Sequence, residues 1–292
     1  MDPAADPAAV FERSRSRLFG MAYRMLGSVA DAEDLVQETY LRWHEADRVA
    51  VSSPEGWLMT VIGRLSIDRL RRASAERTTY VGEWPPEPVA TEGWTAPDRS
   101  TDLSSDLSMA FLVLLERLTP EERVAFLMRE VFACDYAEIA RVVDRSEAAC
   151  RQLVHRAREH LHGDRLRFSA PPETKERLLG GFLAALETGD KDALLSLFAQ
   201  DATWTSDGGG KATAAGHVLV GADRIARFLL AVERKTRGLL TNRMARLNGE
   251  PALVTSMAGR VLFTTSIETD GVRIAAVYRV LNPDKLHHIG GH

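Results

Sequence analysis

DYAEIARVVDRSEAACRQLVHRAREHL, residues 135–161, holds two short helical periods separated by a break. Tyr136, Ile139, Ala140 and Val143 recur at three- and four-residue spacing, which places them on one face of a first helix. Asp144 and Arg145 supply a turn. Ser146 is a good N-cap, because its hydroxyl can satisfy the open N–H groups of the helix that follows. In that second helix Cys150, Leu153, Val154, Ala157 and Leu161 line one side, and Glu147, Arg151, Gln152, His155 and Arg158 occupy the other. A tight helix pair whose second member exposes Arg and Gln has the donor pattern that major-groove reading requires. A helical hairpin with a solvated charged face would look the same, so this segment alone leaves both readings open. His155 taken singly reads as a polar surface residue.

The bulk properties narrow the field. At 292 residues the chain is long enough for two or three domains, each with its own core. No stretch approaches the ~18–20 unbroken apolar residues of a membrane span, and MDPAADPAAV lacks the basic and apolar regions of an export signal. Cys134 and Cys150 sit in apolar periodic segments and read as small core residues, so a reduced, cytoplasmic protein is expected. The net charge of −4 is more informative. A protein gripping DNA alone through phosphates is usually basic. Here the acids Asp31, Glu33, Asp34 and Glu38 cluster early, and Arg64, Arg69, Arg71 and Arg72 follow them. DNA contact is therefore expected to be local or assisted by a partner.

Periodicity divides the chain into four parts. Residues 1–75 read as a helical domain, 76–105 as a Pro-rich linker, 106–168 as a second helical domain, and 169–292 as an α+β domain. Within the linker, Trp84 and Trp94 are large rings that point to docking on a neighbouring domain or to a binding strip. In the last part, helices over 173–198 precede apolar-alternating strands expected to form an antiparallel meander. VLFTTSIET and VRIAAVYRVL flank Asp270-Gly271 as a hairpin.

WTSDGGGKA, residues 204–212, tests for a nucleotide loop. A phosphate-cradling P-loop needs a first glycine where Thr205 stands and a Ser or Thr where Ala212 stands. The spacing excludes it, and the glycines suit a tight turn or the close approach of another backbone.

The two helical blocks, read together, resemble the extracytoplasmic-function (ECF) sigma factors of bacterial RNA polymerase. AYRMLGSVADAEDLVQETYLRW (22–43) is similar to the start of their region 2, and residues 109–161, with LTPEERVAFLMREVFACDYAEIA, to their region 4. The last part resembles a SnoaL-like domain, a cone of one sheet and a few helices. WPPEP (84–88), DGGGK (207–211) and NPDKL (282–286) match the motifs of the SigJ-type group that carries this extension. The fold implied is two all-α sigma domains, the second with a helix-turn-helix, followed by an α+β SnoaL-like cone.

The resemblance implies specific roles. Asp31, Glu33, Asp34, Leu35, Val36, Gln37 and Glu38 would dock on the polymerase core at the β′ coiled coil, with region 4 at the β flap. Arg64, Arg69, Arg71 and Arg72 would meet the −10 element of promoter DNA. Gly63-Arg64 stands where many members carry Arg-Asn, so pocket-level base preference does not carry over. Ser146, Glu147, Arg151, Gln152, His155 and Arg158 would read the −35 element. Trp84, Pro85, Pro86, Glu87 and Pro88, with Asp207, Gly208, Gly209, Gly210 and Lys211, and Asn282, Pro283, Asp284, Lys285 and Leu286, would form one interdomain regulatory surface. Pro85 stands where the usual motif has leucine, so that Pro86 follows a second proline and the segment stiffens toward polyproline II.

The expected function is transcription initiation by an alternative sigma factor regulated in cis by its C-terminal domain. The alternative is a helix-turn-helix regulator with a ligand-binding or isomerase-like domain. An isomerase site would draw on Asp201, Asp207, His217 and Tyr278, but no spacing pairs them, and no enzyme is expected. A small-molecule ligand of the cone is a possible further partner. No cofactor is expected, and no metal site is read from His287-His288 and His292.

Overall fold

The computed structural model describes residues 7–47, 51–77, 84–91, 107–161 and 170–289. Trp94 and His292 lie outside them. The chain forms two compact units. The first comprises Met1–Thr79, Thr95–Asp106 and Leu112–His162; the second comprises Tyr80–Trp94, Leu107–Phe111 and Gly163–His292. Most of both helical blocks share the first unit, while Leu107–Phe111 and part of the Pro-rich stretch belong to the second.

In the first unit α1 (Pro7–Leu26) ends at Gly27, which takes a left-handed φ of 67°. Ser28 then caps α2 (Val29–Glu45), accepting from the Asp31 N–H at 3.2 Å. The inner face of α2 buries Ala32, Leu35, Val36, Thr39 and Trp43. After α3 (Pro54–Arg77) and α4 (Met109–Leu115), of which only Leu112–Leu115 belong to this unit, the helix α5 (Pro120–Phe126) starts from a reciprocal Thr119–Glu122 capping box and continues as a π-helical turn, Leu127–Val131. The helix-turn-helix follows as α6 (Tyr136–Val143) and α7 (Glu147–Leu161). Asp144 makes the turn in the left-handed region, and Ser146 Oγ accepts from the Ala149 N–H at 3.3 Å.

The two helical blocks are packed into one body. Gly63 on α3 leaves room for Val142 of α6, whose Cγ1 would lie 2.9 Å from any added Cβ. Arg123, 2% exposed, donates to the Met25 carbonyl at 2.7 Å and pairs with Glu116 at 3.0 Å. Arg17 donates to the Phe132 carbonyl at 2.8 Å.

The second unit begins with α8 (Pro172–Thr188), closed by a left-handed Gly189, and α9 (Lys191–Leu197). The strands are β1 (Phe198–Asp207), β2 (Leu219–Val220), β3 (Thr241–Leu247), β4 (Glu250–Met257), β5 (Arg260–Thr269) and β6 (Ile274–Val280), with α10 (Ala222–Thr236) between β2 and β3. Their order in the sheet is β2-β1-β6-β5-β4-β3. The meander expectation therefore holds for β3 to β6 but not for β1, which pairs parallel to β6. Asn248-Gly249 and Ala258-Gly259, all at positive φ, make two-residue turns, which return the chain antiparallel at once. The β5–β6 connection is longer than the expected Asp270-Gly271: Asp270 accepts from Val272 and Arg273 N–H, and Val272 is exposed.

Side chains alternate along β4, so the sheet buries both faces. Leu253 joins Phe182, Trp204, Leu229 and Val277 in one core, while Ala252 and Val254 join Leu247, Val280, Leu286 and Ile289 in another. The glycine loop leaves the end of β1. Gly209, at φ 59°, passes so close to Asn282 that a Cβ would fall 2.4 Å from its Nδ2. Gly209→Ala should therefore lower stability by about 1–3 kcal/mol in urea denaturation. The exposed Gly216 has open space at its Cβ position, and the same change there should cost under ~1 kcal/mol.

Candidate functional site

The exposed face of α7 carries the residues expected to read DNA. Arg151 pairs with Glu147 at 3.0 Å, and its guanidinium lies 4.8 Å from the centre of the Tyr136 ring. His155 and Glu159 are 3.6 Å apart, and Arg158 meets Glu130 at 2.8 Å. Gln152 borders a groove with Thr119, Glu121, Arg145 and Arg156. Most of these pairs are solvated and contribute little to stability, so they leave the side chains available to exchange partners.

The basic residues of α3 are held differently. Arg64 donates to the Arg141 carbonyl at 2.6 Å, linking the end of α6 to α3. Arg69 binds Asp31 through Nε at 3.0 Å, and Arg71 binds Glu121 and Asp68. Arg72 is exposed. The structure thus joins a residue of the expected −10 set to one of the expected polymerase set, and arginines of the first helical block to groups of the second.

On α2 the polymerase set divides. Glu33, Asp34 and Gln37 are exposed, whereas Leu35 and Val36 lie in the core. The apolar groups this helix offers outward are Tyr40, 38% exposed, and Leu41, 55% exposed. Sequence periodicity groups Tyr40 with Val36 and Trp43 on the apolar face and does not single out Leu41. Heptad-style counting would have found Leu41, one step beyond Thr39 and Tyr40 and off the buried stripe.

The third cluster lies wholly within the second unit. Lys285, 5% exposed, sits in the 3₁₀ turn Pro283–Lys285. Its Nζ donates to Asp207 Oδ2 at 2.8 Å and to the Pro85 carbonyl at 2.7 Å, and stands 3.8 Å from the Trp84 ring centre. Asp207 is fully buried, accepts from the Gly209 N–H at 2.9 Å, and its own carbonyl accepts from Leu281 and Asn282. Asn282 Oδ1 caps Asp284, and Lys211 reaches Asp284 at 2.6 Å. The segment 84–91 continues along β3: Asn248 and Val89 exchange hydrogen bonds, and Ala90 bridges Leu247. Pro85, Pro86, Glu87 and Pro88 are all buried. His288 donates from Nε2 to the Pro88 carbonyl at 2.7 Å and lies 3.1 Å from Glu87.

Of the isomerase candidates, Tyr278 lies opposite Thr205 in the β1–β6 register, a diagonal step from Asp207. Asp201 and His217 are exposed, and the Asp207 carboxylate is occupied by Lys285 and Gly209. A hollow does open in this unit, lined by Phe182, Leu229, Phe263, Asn242, Glu233 and Arg279, with none of the four candidates on it. Arg279, 8% exposed, is stacked 4.4 Å from Trp204 and 4.2 Å from Phe263, and burial pushes its pKa down to about 9. Among the described residues its guanidinium makes one hydrogen bond, to Thr265 Oγ1 at 3.2 Å. Both cysteines are free and buried, and burial pushes the Cys134 thiol up to about 11. No helix among the described residues is long and apolar enough to cross a membrane.

Comparison with known proteins adds independent findings. Residues 10–76 match the Sigma-70 region 2 family and residues 108–161 the Sigma-70, region 4 family. The ECF RNA polymerase sigma factor SigJ of Mycobacterium tuberculosis (strain ATCC 25618 / H37Rv) is 40% identical over 289 residues, 94% of this chain and 91% of that protein. SigG of the same organism is 32% identical over 225 residues, covering 68% of this chain and 60% of that one. The crystal structure of M. tuberculosis SigJ aligns at a TM-score of 0.76 with 35% identity, over 97% of this chain and 98% of its own. Two sigma modules in order, on a chain related to SigJ along nearly its whole length, place this protein in the family of extracytoplasmic-function RNA polymerase sigma factors.

Proposed function

We propose that this sigma factor joins core RNA polymerase, brings it to promoters through −35 and −10 elements, and is held in check in cis by its second unit. One observation carries the reading: within the helical unit, three of the arginines expected to meet DNA are engaged by other groups of the same unit, one of them by Asp31 of the expected polymerase set. Arg69 is on Asp31, Arg71 on Glu121, and Arg64 on the Arg141 carbonyl. Each contact is worth little alone, so binding to polymerase and promoter can replace them. On α2, Glu33, Asp34 and Gln37 with Tyr40 and Leu41 would face the β′ coiled coil, opposite charge steering the encounter and apolar contact holding it. Region 4 would rest on the β flap and present Arg151, Gln152 and neighbours to the −35 element. Such a protein works in the cytoplasm and borrows most of its DNA affinity from polymerase, which fits a net charge of −4.

Regulation would pass through the segment 84–91, which connects the two sigma modules in sequence. Its seat on Lys285, Asn248 and His288 limits how far that connection can extend. A tether of this kind acts at a high effective concentration, roughly millimolar for short linkers.

A second reading concerns the hollow beside Arg279. A nearly buried guanidinium among aromatic and aliphatic walls suits a small organic anion with an apolar body. Catalysis has no support from the placement of Asp201, Asp207, His217 and Tyr278.

Three outcomes are expected. Full-length protein should bind purified core polymerase and start transcripts from a library of promoter fragments, and a chain ending at residue 169 should do so at a measurably different rate. Failure of both capture and initiation would refute the sigma reading, while equal rates would remove the regulatory part. Lys285→Met, which keeps the apolar stem and loses the charge, should change promoter output about fivefold or more; wild-type output in the folded variant would separate the cluster from regulation. Benzoate should perturb Trp204 fluorescence at concentrations at least about tenfold below benzyl alcohol, a preference lost in Arg279→Met. Equal affinities would overturn the anion reading.

A further inference from the structure

Beside the Lys285 cluster, three side chains of ligand type converge from two distant parts of the chain. Glu87, His287 and His288 each bring one ligand atom, a carboxylate oxygen or a ring nitrogen, and these atoms all lie within 4.8 Å of one another. We propose that Glu87, His287 and His288 bind one divalent transition-metal ion, zinc being the natural occupant, with water completing the coordination.

The donor set comes first. Two imidazoles and one carboxylate make an open three-ligand zinc site. Magnesium and calcium favour oxygen-rich shells, so the imidazoles select against them.

The proton positions point the same way. The Pro88 carbonyl can only accept, so His288 Nε2, 2.7 Å away, carries the proton. The other nitrogen, Nδ1, then turns a lone pair toward Glu87 Oε1 at 3.1 Å. Two acceptors so close require a shared proton or a cation. Ligands around a tetrahedral ion with bonds near 2.0 Å stand about 3.3 Å apart, close to that spacing. His287 repeats the pattern: Nδ1 donates to the Asp284 carbonyl at 2.8 Å, leaving Nε2 as its lone-pair nitrogen. Each ring therefore carries the outer hydrogen bond to a backbone carbonyl that fixes tautomer and orientation in metal-binding histidines. The two rings meet edge to face, centroids 5.2 Å apart at 76°, rather than stacking.

A plain ion pair between protonated His288 and Glu87 is the competing account of the 3.1 Å contact. It needs nothing from His287, which is exposed. The metal needs all three, and this difference makes the proposal testable. Glu87 belongs to the buried segment 84–91, and the histidines to the end of the described chain, so the ion would cross-link the two within one unit. The site stands independently of promoter recognition.

The test uses untagged full-length protein. Cobalt(II), whose visible absorption reports coordination, is titrated in, and zinc is then added in competition, with calorimetry giving the stoichiometry. One ion per chain is expected, displaced by zinc, and zinc should raise the melting temperature. Glu87→Gln, His287→Asn and His288→Asn should each weaken affinity more than about tenfold, since even outer-shell changes cost 10–100-fold. His287→Asn is decisive, because an exposed side chain can be changed with the fold retained, as circular dichroism would verify. No stoichiometric ion in the wild type, or binding unchanged in His287→Asn, would overturn the site.

Discussion

A buried ammonium group, that of Lys285, ties together segments of the second unit that are far apart in sequence. Lys285 takes Asp207 from the end of β1, the carbonyl of Pro85 from the linker, and the face of Trp84, so three segments remote in sequence share one cation. A buried charge is costly unless paired and hydrogen-bonded, which makes the partners interdependent. The glycine loop follows from this. Asp207 must turn its carboxylate inward while its carbonyl receives Leu281 and Asn282, and only glycine allows the chain to pass Asn282 so closely.

A different logic governs the helical unit. Its blocks are held by small complementary contacts: a missing side chain at Gly63, the buried Arg123 on the Met25 carbonyl, and solvated pairs such as Arg69–Asp31. Lasting contacts sit inside and exchangeable ones on the faces that a sigma factor must offer. Stability and readiness to change partners are thus assigned to different residues of the same helices.

Much of this was legible beforehand. The helix-turn-helix followed from apolar spacing, with Asp144 as the turn and Ser146 as the cap, because local periodicity and capping are local physics. The glycine run, read as the close approach of another part of the chain, does pass Asn282 closely at Gly209. Long-range facts were not readable. Nothing in β1 announces that it will pair parallel to β6, and nothing in Leu35 or Val36 tells which apolar residues of α2 turn inward until α1 and α3 are placed. The buried Arg279 is equally silent in sequence, since an arginine in a strand reads as a solvent-facing residue. His287-His288 looked like an unremarkable tail because Glu87, 200 residues away, gave no sign that it would lie beside them.

That separation also sets a schedule. Pro85 and Lys285 are 200 positions apart, so a ribosome must add all the intervening residues before the lysine exists. At about 5–20 residues per second, the interval is on the order of 10–40 s. During it both sigma modules have emerged and can fold, while the seat for the proline-rich strap has not yet been made. Every newly synthesised molecule therefore passes through a stage in which this strap has no seat.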